Sequence, residues 1–145
     1  MKEHLLEFFG YDFWANSRWI EYLASRDSSA EELEQMAHLL GSQRMWITRV
    51  CGVSPTEFVL PEPTLETLQD LNQRWKQALE SRELNEVIDY QRTTGEALSL
   101  TVKQIASHVI NHGTYHRGVL RGIALNQDRW DFPDTDLAGF YTGIV

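Results

Sequence analysis

The stretch from Val102 to Leu125 repeats its apolar residues at helical spacing, and it carries histidines four residues apart in His108-Val-Ile-Asn-His112-Gly-Thr-Tyr-His116-Arg117-Gly118. On an α-helix, residues four apart share a face, one turn above the next. Thr101 followed by Gln104 reads as a capping box at the start of this helix, and Asn126 as its stop. At roughly 100° per residue, Ile105, Val109, Val119 and Ile123 fall within about 40° of one line, which predicts the buried stripe. His112 and His116 each lie about 20° from its centre, whereas His108 is about 60° off, beside Tyr115 and Gly122. A stripe bearing two imidazoles can be buried only where other groups satisfy them. Hydrogen-bonded core histidines would meet that need, and so would a metal ion shared by the pair. Two in one stripe favour metal.

A metal on this helix needs facing helices, and the remaining chain supplies them. Lys2 to Ala24 carries Leu5, Phe9, Phe13, Ile20 and Leu23 on one stripe. A second segment, Glu31 to Val50, is led in by Ser29 with Glu32 three residues on, and stops near Gly52. After a proline-containing loop, Ser54 to Pro63, a third segment from Leu65 to Arg82 places Leu65, Leu68, Trp75 and Leu79 at helical spacing. Val87 to Leu100 reads as two short extended pieces around a turn at Thr94-Gly95, or as a loose loop. The tail holds Trp130, Phe132, Phe140 and Tyr141 and is expected to pack back over the helices. These elements predict an all-α four-helix bundle with a short irregular or β-like insert between helices three and four, as one domain over residues 1–145.

The candidate residues on the other helices are fewer. His38 lies nearly opposite the stripe formed by Met36, Leu40, Ile47 and Val50, and shares its side with Leu39, Ser42, Met45 and Trp46. Periodicity leaves open which side of this doubly apolar helix faces helix four, and such a helix also suits a homodimer. On helix one, Asn16 falls in the middle of the apolar stripe and Asp12 at its edge one turn earlier. A metal-bound histidine usually gives its second ring N–H to an oxygen. Asn16 and Asp12 are therefore candidates to orient a ligand imidazole, with solvent exposure the alternative, chiefly for Asp12. Tyr11 and Tyr115 are read as packing. Helix three has no titratable residue on its stripe, so a substrate pocket is expected near it and the Val87–Leu100 segment.

Composition narrows the partners. A net charge of −8 argues against nucleic acid or an anionic membrane surface, and no apolar run approaches the roughly 20 residues of a membrane span. Met1-Lys2-Glu3-His4 does not read as a secretory signal, and the single cysteine, Cys51, cannot form an internal disulfide. A cytoplasmic location is expected. Cys51 sits among apolar residues near a helix end and is expected to pack rather than react.

Tyr11-Asp-Phe-Trp-Ala-Asn16, Ala37-His38-Leu-Leu-Gly with Trp46, Gly95, and Asn111-His112-Gly-Thr-Tyr-His116-Arg117-Gly118 together resemble the DinB/YfiT-like family of four-helix-bundle proteins, along essentially the whole chain. Val119 departs from the family pattern, where Gln commonly follows the His-Arg-Gly. The resemblance implies three histidines holding a divalent metal (Zn, Ni, Fe or Mn), carried onto His38, His112 and His116. It also implies reactions that use a low-molecular-weight thiol with a small-molecule substrate, of the thiol S-transferase kind, or a related hydrolysis. Three neutral imidazoles leave a divalent ion at least one open position, as catalytic sites do. The alternative is a non-catalytic metal-binding stress or interaction protein.

Overall fold

In the computed structural model, which describes residues 1–144, four long helices form the expected bundle. They are α1 (Lys2–Ala24), α2 (Ala30–Val50), α3 (Leu65–Ser81) and α4 (Val102–Asn126). The insert is regular: β1 (Val87–Gln91) and β2 (Ala97–Thr101) pair antiparallel, from Val87 opposite Thr101 to Gln91 opposite Ala97. Gly95, at φ 99°, takes the left-handed conformation this turn needs.

Local chemistry sets the helix starts. Ser29 and Glu32 form a complete capping box at α2, as Thr101 and Gln104 do at α4, while the Thr64 side chain accepts from the Thr67 N–H at α3. Each satisfies amide groups that the first helical turn would otherwise leave unpaired.

The helices do not sit in a ring in chain order. α2 lies between α3 and α4, and α1 packs against the same two helices from the other side, so α1 and α2 face each other across the diagonal. This resolves the two-sided pattern of α2. Met36, Leu40, Ile47 and Val50 are buried in the core, and the opposite side runs along α4, where His38 meets His112 and His116. The first side is fully covered by the chain itself, whereas His38, Ser42, Met45 and Trp46 on the second stay half-buried. Fully buried Trp19 and Trp75 anchor the core, with Phe9 stacked on Trp75 at 5.0 Å between ring centroids. Each large apolar side chain removed from water contributes about 1.5–3 kcal/mol.

Three expectations are corrected. The buried face of α4 is centred on Val109, Gly113 and Leu120, about 70° round from the line through Ile105 and Ile123, and Val119 and Ile123 are only half-buried. Cys51 is exposed at the C-terminal cap of α2, not packed. The tail adds a short helix, α5 (Leu137–Thr142), and only part of its aromatic content packs. Phe132 stacks parallel over Trp19, and Phe140 lies against Tyr11 and Trp14, while Trp130 and Tyr141 stay exposed. Arg129 ties the start of the tail to Glu32 at 2.7 Å. No helix among the described residues is long and apolar enough to cross a membrane.

Candidate metal centre

The diagonal placement of α1 and α2 makes the α2–α4 seam a place where histidines from both helices can meet. His38 projects from α2; His112 and His116 project from α4, one turn apart. Each offers a ring nitrogen, and the three nitrogens all lie within 4.8 Å of one another. The His112 and His116 Nε2 atoms are 3.0 Å apart, and the His38 ring centroid is 4.6 Å from His116 and 5.6 Å from His112. Imidazole nitrogens at about 2.0–2.1 Å from a tetrahedral zinc-sized ion are about 3.4 Å apart, so this cluster fits such an ion after small side-chain shifts. Among the described residues, no carboxylate or cysteine joins the group.

The shifted phase of α4 determines how the pair is presented. His116 is buried, whereas His112 is half-buried at the edge of the seam, so the cluster opens to one side. His108 lies one turn further, exposed, with its ring 5.4 Å from His112 and edge-on to Trp46 at 5.3 Å. Phe58, from the loop after α2, packs on His38 at 5.2 Å and against Gly41, where a Cβ would meet its Cζ at 2.8 Å. Tyr115 stands edge-on to His116 but is itself exposed. Of helix three and the insert, it is the insert that borders the histidines. Tyr90 of β1 packs on Trp46 beside His108, while Trp75 of α3 is spent in the core.

The rings are held neutral. Burial pushes the His112 pKa down to about 4, with His116, His108 and His38 adding repulsion. Burial likewise lowers His38, partial desolvation lowers the otherwise exposed His108, and burial followed by repulsion from His38 lowers His116. Only neutral imidazole offers the lone pair that a metal needs. His116 is also fixed in tautomer: its Nδ1 donates to Gln35 Oε1 at 2.8 Å, which leaves Nε2 unprotonated and facing His112.

That bond corrects the roles expected of Asn16 and Asp12. Among the described residues neither is hydrogen-bonded to an imidazole. Both are buried on α1 in a different network, built on Arg117 of α4. Arg117 Nη1 donates to Asp12 Oδ1 at 3.0 Å and to Asn16 Oδ1 at 2.7 Å. The second Asp12 oxygen accepts from Gln43 at 2.5 Å and from Asn16 Nδ2 at 3.0 Å. Arg117 Nη2 reaches Thr114 Oγ1, and the Tyr11 hydroxyl donates to the Thr135 carbonyl. Burial pushes the Asp12 carboxyl pKa up, opposed by Arg117 and Gln43. The buried need read into Asn16 was real, but a buried arginine answers it. Gln35, one turn before His38, and Arg117, one turn after Gly113, are the residues that the sequence reading missed as partners. The unpaired interior Asn16 was the available signal for Arg117. Gln35 gave none beyond its spacing.

Comparison with known proteins finds relatives of this chain. A protein of Bacillus subtilis (strain 168) named Protein DinB is 25% identical over 142 residues, covering 81% of this chain and 83% of that protein. The DinB family model matches residues 1–122, which contain α1 to β2, most of α4, and all three clustered histidines. The chain belongs to the DinB family.

Proposed function

We propose that the chain binds one divalent metal ion through His38, His112 and His116, and that it is a metal-dependent enzyme acting on a small-molecule substrate with a thiol or water as nucleophile. The observation that carries this is the convergence of three neutral ring nitrogens within 4.8 Å, one of them fixed in tautomer by Gln35. A divalent ion held there supplies Lewis acidity, lowering the pKa of bound water to about 7 or keeping a thiol as thiolate. The residues around it do the rest. Burial holds His38, His112 and His116 neutral at neutral pH, so each ring keeps one nitrogen lone pair. Without metal, His112 Nε2–H donates to His116 Nε2 at 3.0 Å, and His112 would give up that proton to join a metal. Phe58 shields His38 from solvent on one side, and the half-buried edge at His112 leaves the approach. Asp12 is engaged by Arg117, and among the described residues no carboxylate joins the cluster, which favours activation at the metal over a carboxylate base. Zn, Ni and Fe suit imidazole ligands, and Mn, which favours oxygen donors, is the poorest match of the four to an all-histidine set. A low-molecular-weight thiol as co-substrate, homodimer formation and a cytoplasmic location belong to the same proposal.

Elemental analysis of protein purified without chelators or a His tag tests it. Near one equivalent of metal in the wild type and almost none in a folded His112→Ala variant is expected. Metal-dependent thiol conjugation to electrophiles, abolished by His116→Ala, supports the enzyme; bound metal without turnover leaves a non-catalytic metal protein. Metal content unchanged by His112→Ala refutes the site.

A further inference from the structure

Arg49 is a buried cation that pairs with no carboxylate among the described residues. It lies in the last turn of α2, is 7% exposed, and its Nε has no hydrogen-bond partner among the described residues. Arg117, the other buried cation, is paired with Asp12, and half-buried Arg129 with Glu32, whereas half-buried Arg18, over the Trp14 ring, also has an Nε without a partner among the described residues. Carboxylates of the nearby hairpin are engaged elsewhere, Glu86 with Arg82, Asp89 with Ser99, and Glu96 with Arg92. Besides the Tyr90 phenol, the charge that bears on Arg49 is a second cation, Arg92. In a chain of net charge −8, a buried arginine facing no carboxylate is out of pattern. Its guanidinium is flanked by rings, with Cζ 4.5 Å from the Trp46 centroid and 4.9 Å from that of Tyr90. Those contacts hold a cation in place but neutralise nothing.

Its position relative to the histidines gives this a direction. His38 and Arg49 share one side of α2, three turns apart, or roughly 16 Å along the axis. Long helical side chains lean toward the N-terminus, which brings the Arg49 head back toward His38. Trp46 lies between, edge-on to Tyr90 on one flank and to His108 on the other, and His108 neighbours His112.

We infer that Arg49, with Trp46 and Tyr90, is a recognition subsite for a carboxylate at one end of an elongated small molecule whose other end reaches the His38–His112–His116 cluster. The link to the cluster rests on the proposed function; the subsite itself does not. Flanking rings and the enclosed Nε leave the terminal amino groups of Arg49 to meet a ligand, and that planar edge matches a carboxylate.

The test titrates metal-loaded ¹⁵N-labelled protein with glutarate, acetate and inorganic phosphate against chloride at equal ionic strength, following the Trp46 indole N–H. A saturable shift with the carboxylates is expected. Affinity should fall about tenfold or more in Arg49→Met, as loss of a charge-assisted hydrogen bond implies. Arg49→Lys, which keeps the charge but not the fork, should bind more weakly than wild type and serves if Arg49→Met does not fold. Metal content should be unchanged in both variants. Unimpaired thermal stability in Arg49→Met would mark the arginine as kept for binding rather than for packing. No saturable shift beyond chloride, equal affinity in Arg49→Met, or a response to phosphate alone would overturn the inference. If the wild type binds no metal but still binds glutarate through Arg49, the proposed function falls and the subsite stands. If metal binds and Arg49 responds to no carboxylate, the reverse holds.

Discussion

Replacing Arg117 by methionine puts the buried network to a quantitative test. The change keeps much of the aliphatic stem and removes the guanidinium that donates to Asp12 and Asn16. Asp12, 2% exposed, would keep its bonds from Gln43 and Asn16 but lose the cation it pairs with. Breaking one partner out of a buried ion pair costs about 3–5 kcal/mol, a large share of the roughly 5–15 kcal/mol that holds a domain folded. For a chain of this size that is a fall in Tm of roughly 6–20 °C. The loss should depend on pH in a fixed direction. Burial already raises the Asp12 pKa, and without Arg117 it rises further. A carboxyl whose folded pKa exceeds its unfolded value favours folding most when protonated, and that contribution is lost as pH climbs through the folded pKa. The deficit of the variant should therefore be greatest at neutral pH and narrow on acidification. Urea unfolding of the wild type, Arg117→Met, Asp12→Leu and the double variant between pH 5 and 7.5 measures all of this. In the double variant no lone charge remains, so it should recover most of the loss. A single-variant cost below about 1 kcal/mol, or a double variant no more stable than Arg117→Met, would refute the assignment of this network as a coupled buried pair.

The same geometry supports further expectations. Gly113→Ala places a Cβ 2.7 Å from Asp12 Oδ1 and 3.1 Å from Arg117 Nη1, so it should destabilise by about 1–3 kcal/mol despite alanine's better helix propensity; equal or higher Tm would contradict it. Because the folded-state pKa of His112 is lowered to about 4, metal-free protein should lose stability as pH falls from about 6.5 through 4, and a His112→Asn variant should show a flatter profile by denaturant unfolding. Phe58→Ala should raise the pKa of His38 by exposing it, read from its ring-proton titration by NMR, whereas an unchanged pKa would show that Phe58 does not desolvate the ring. Gly95→Ala forces a side chain into the left-handed region at φ 99° and should cost about 1–2 kcal/mol, while leaving metal content intact.

Much of this protein could be read from its residues, for identifiable reasons. Strong local signals, the Ser29–Glu32 and Thr101–Gln104 capping boxes and the apolar period of four helices, placed the long elements within a residue or so. The phase of α4 was misread because the pattern weighed large apolar side chains. The face that packs closest is lined instead by Ala106, Gly113 and Ala124, with the buried Arg117 beside them. A buried arginine looks like a surface residue until its partner is known, and Asp12 and Asn16 lie a hundred residues away along the chain. His38 stayed ambiguous because α2 is apolar on two sides, so no single stripe marks the interior. Family resemblance, not periodicity, singled it out. The six-residue α5 is too short to show a period, and the partnership of Gln35 with His116 exists only once α2 and α4 are side by side.

Thr101 ends β2 and caps α4 at once, so sheet and helix join with no residue between them. The ladder from Val87–Thr101 to Gln91–Ala97 therefore works as a splint that fixes the rotational setting of α4. One residue inserted after Thr101 would turn everything downstream by about 100°, carrying His112 and His116 out of the α2–α4 seam. The same insertion at the hairpin tip, between Arg92 and Glu96, would be absorbed by an exposed turn. The chain thus separates a place where its length is free to drift from a junction where a single extra residue would dismantle the histidine cluster.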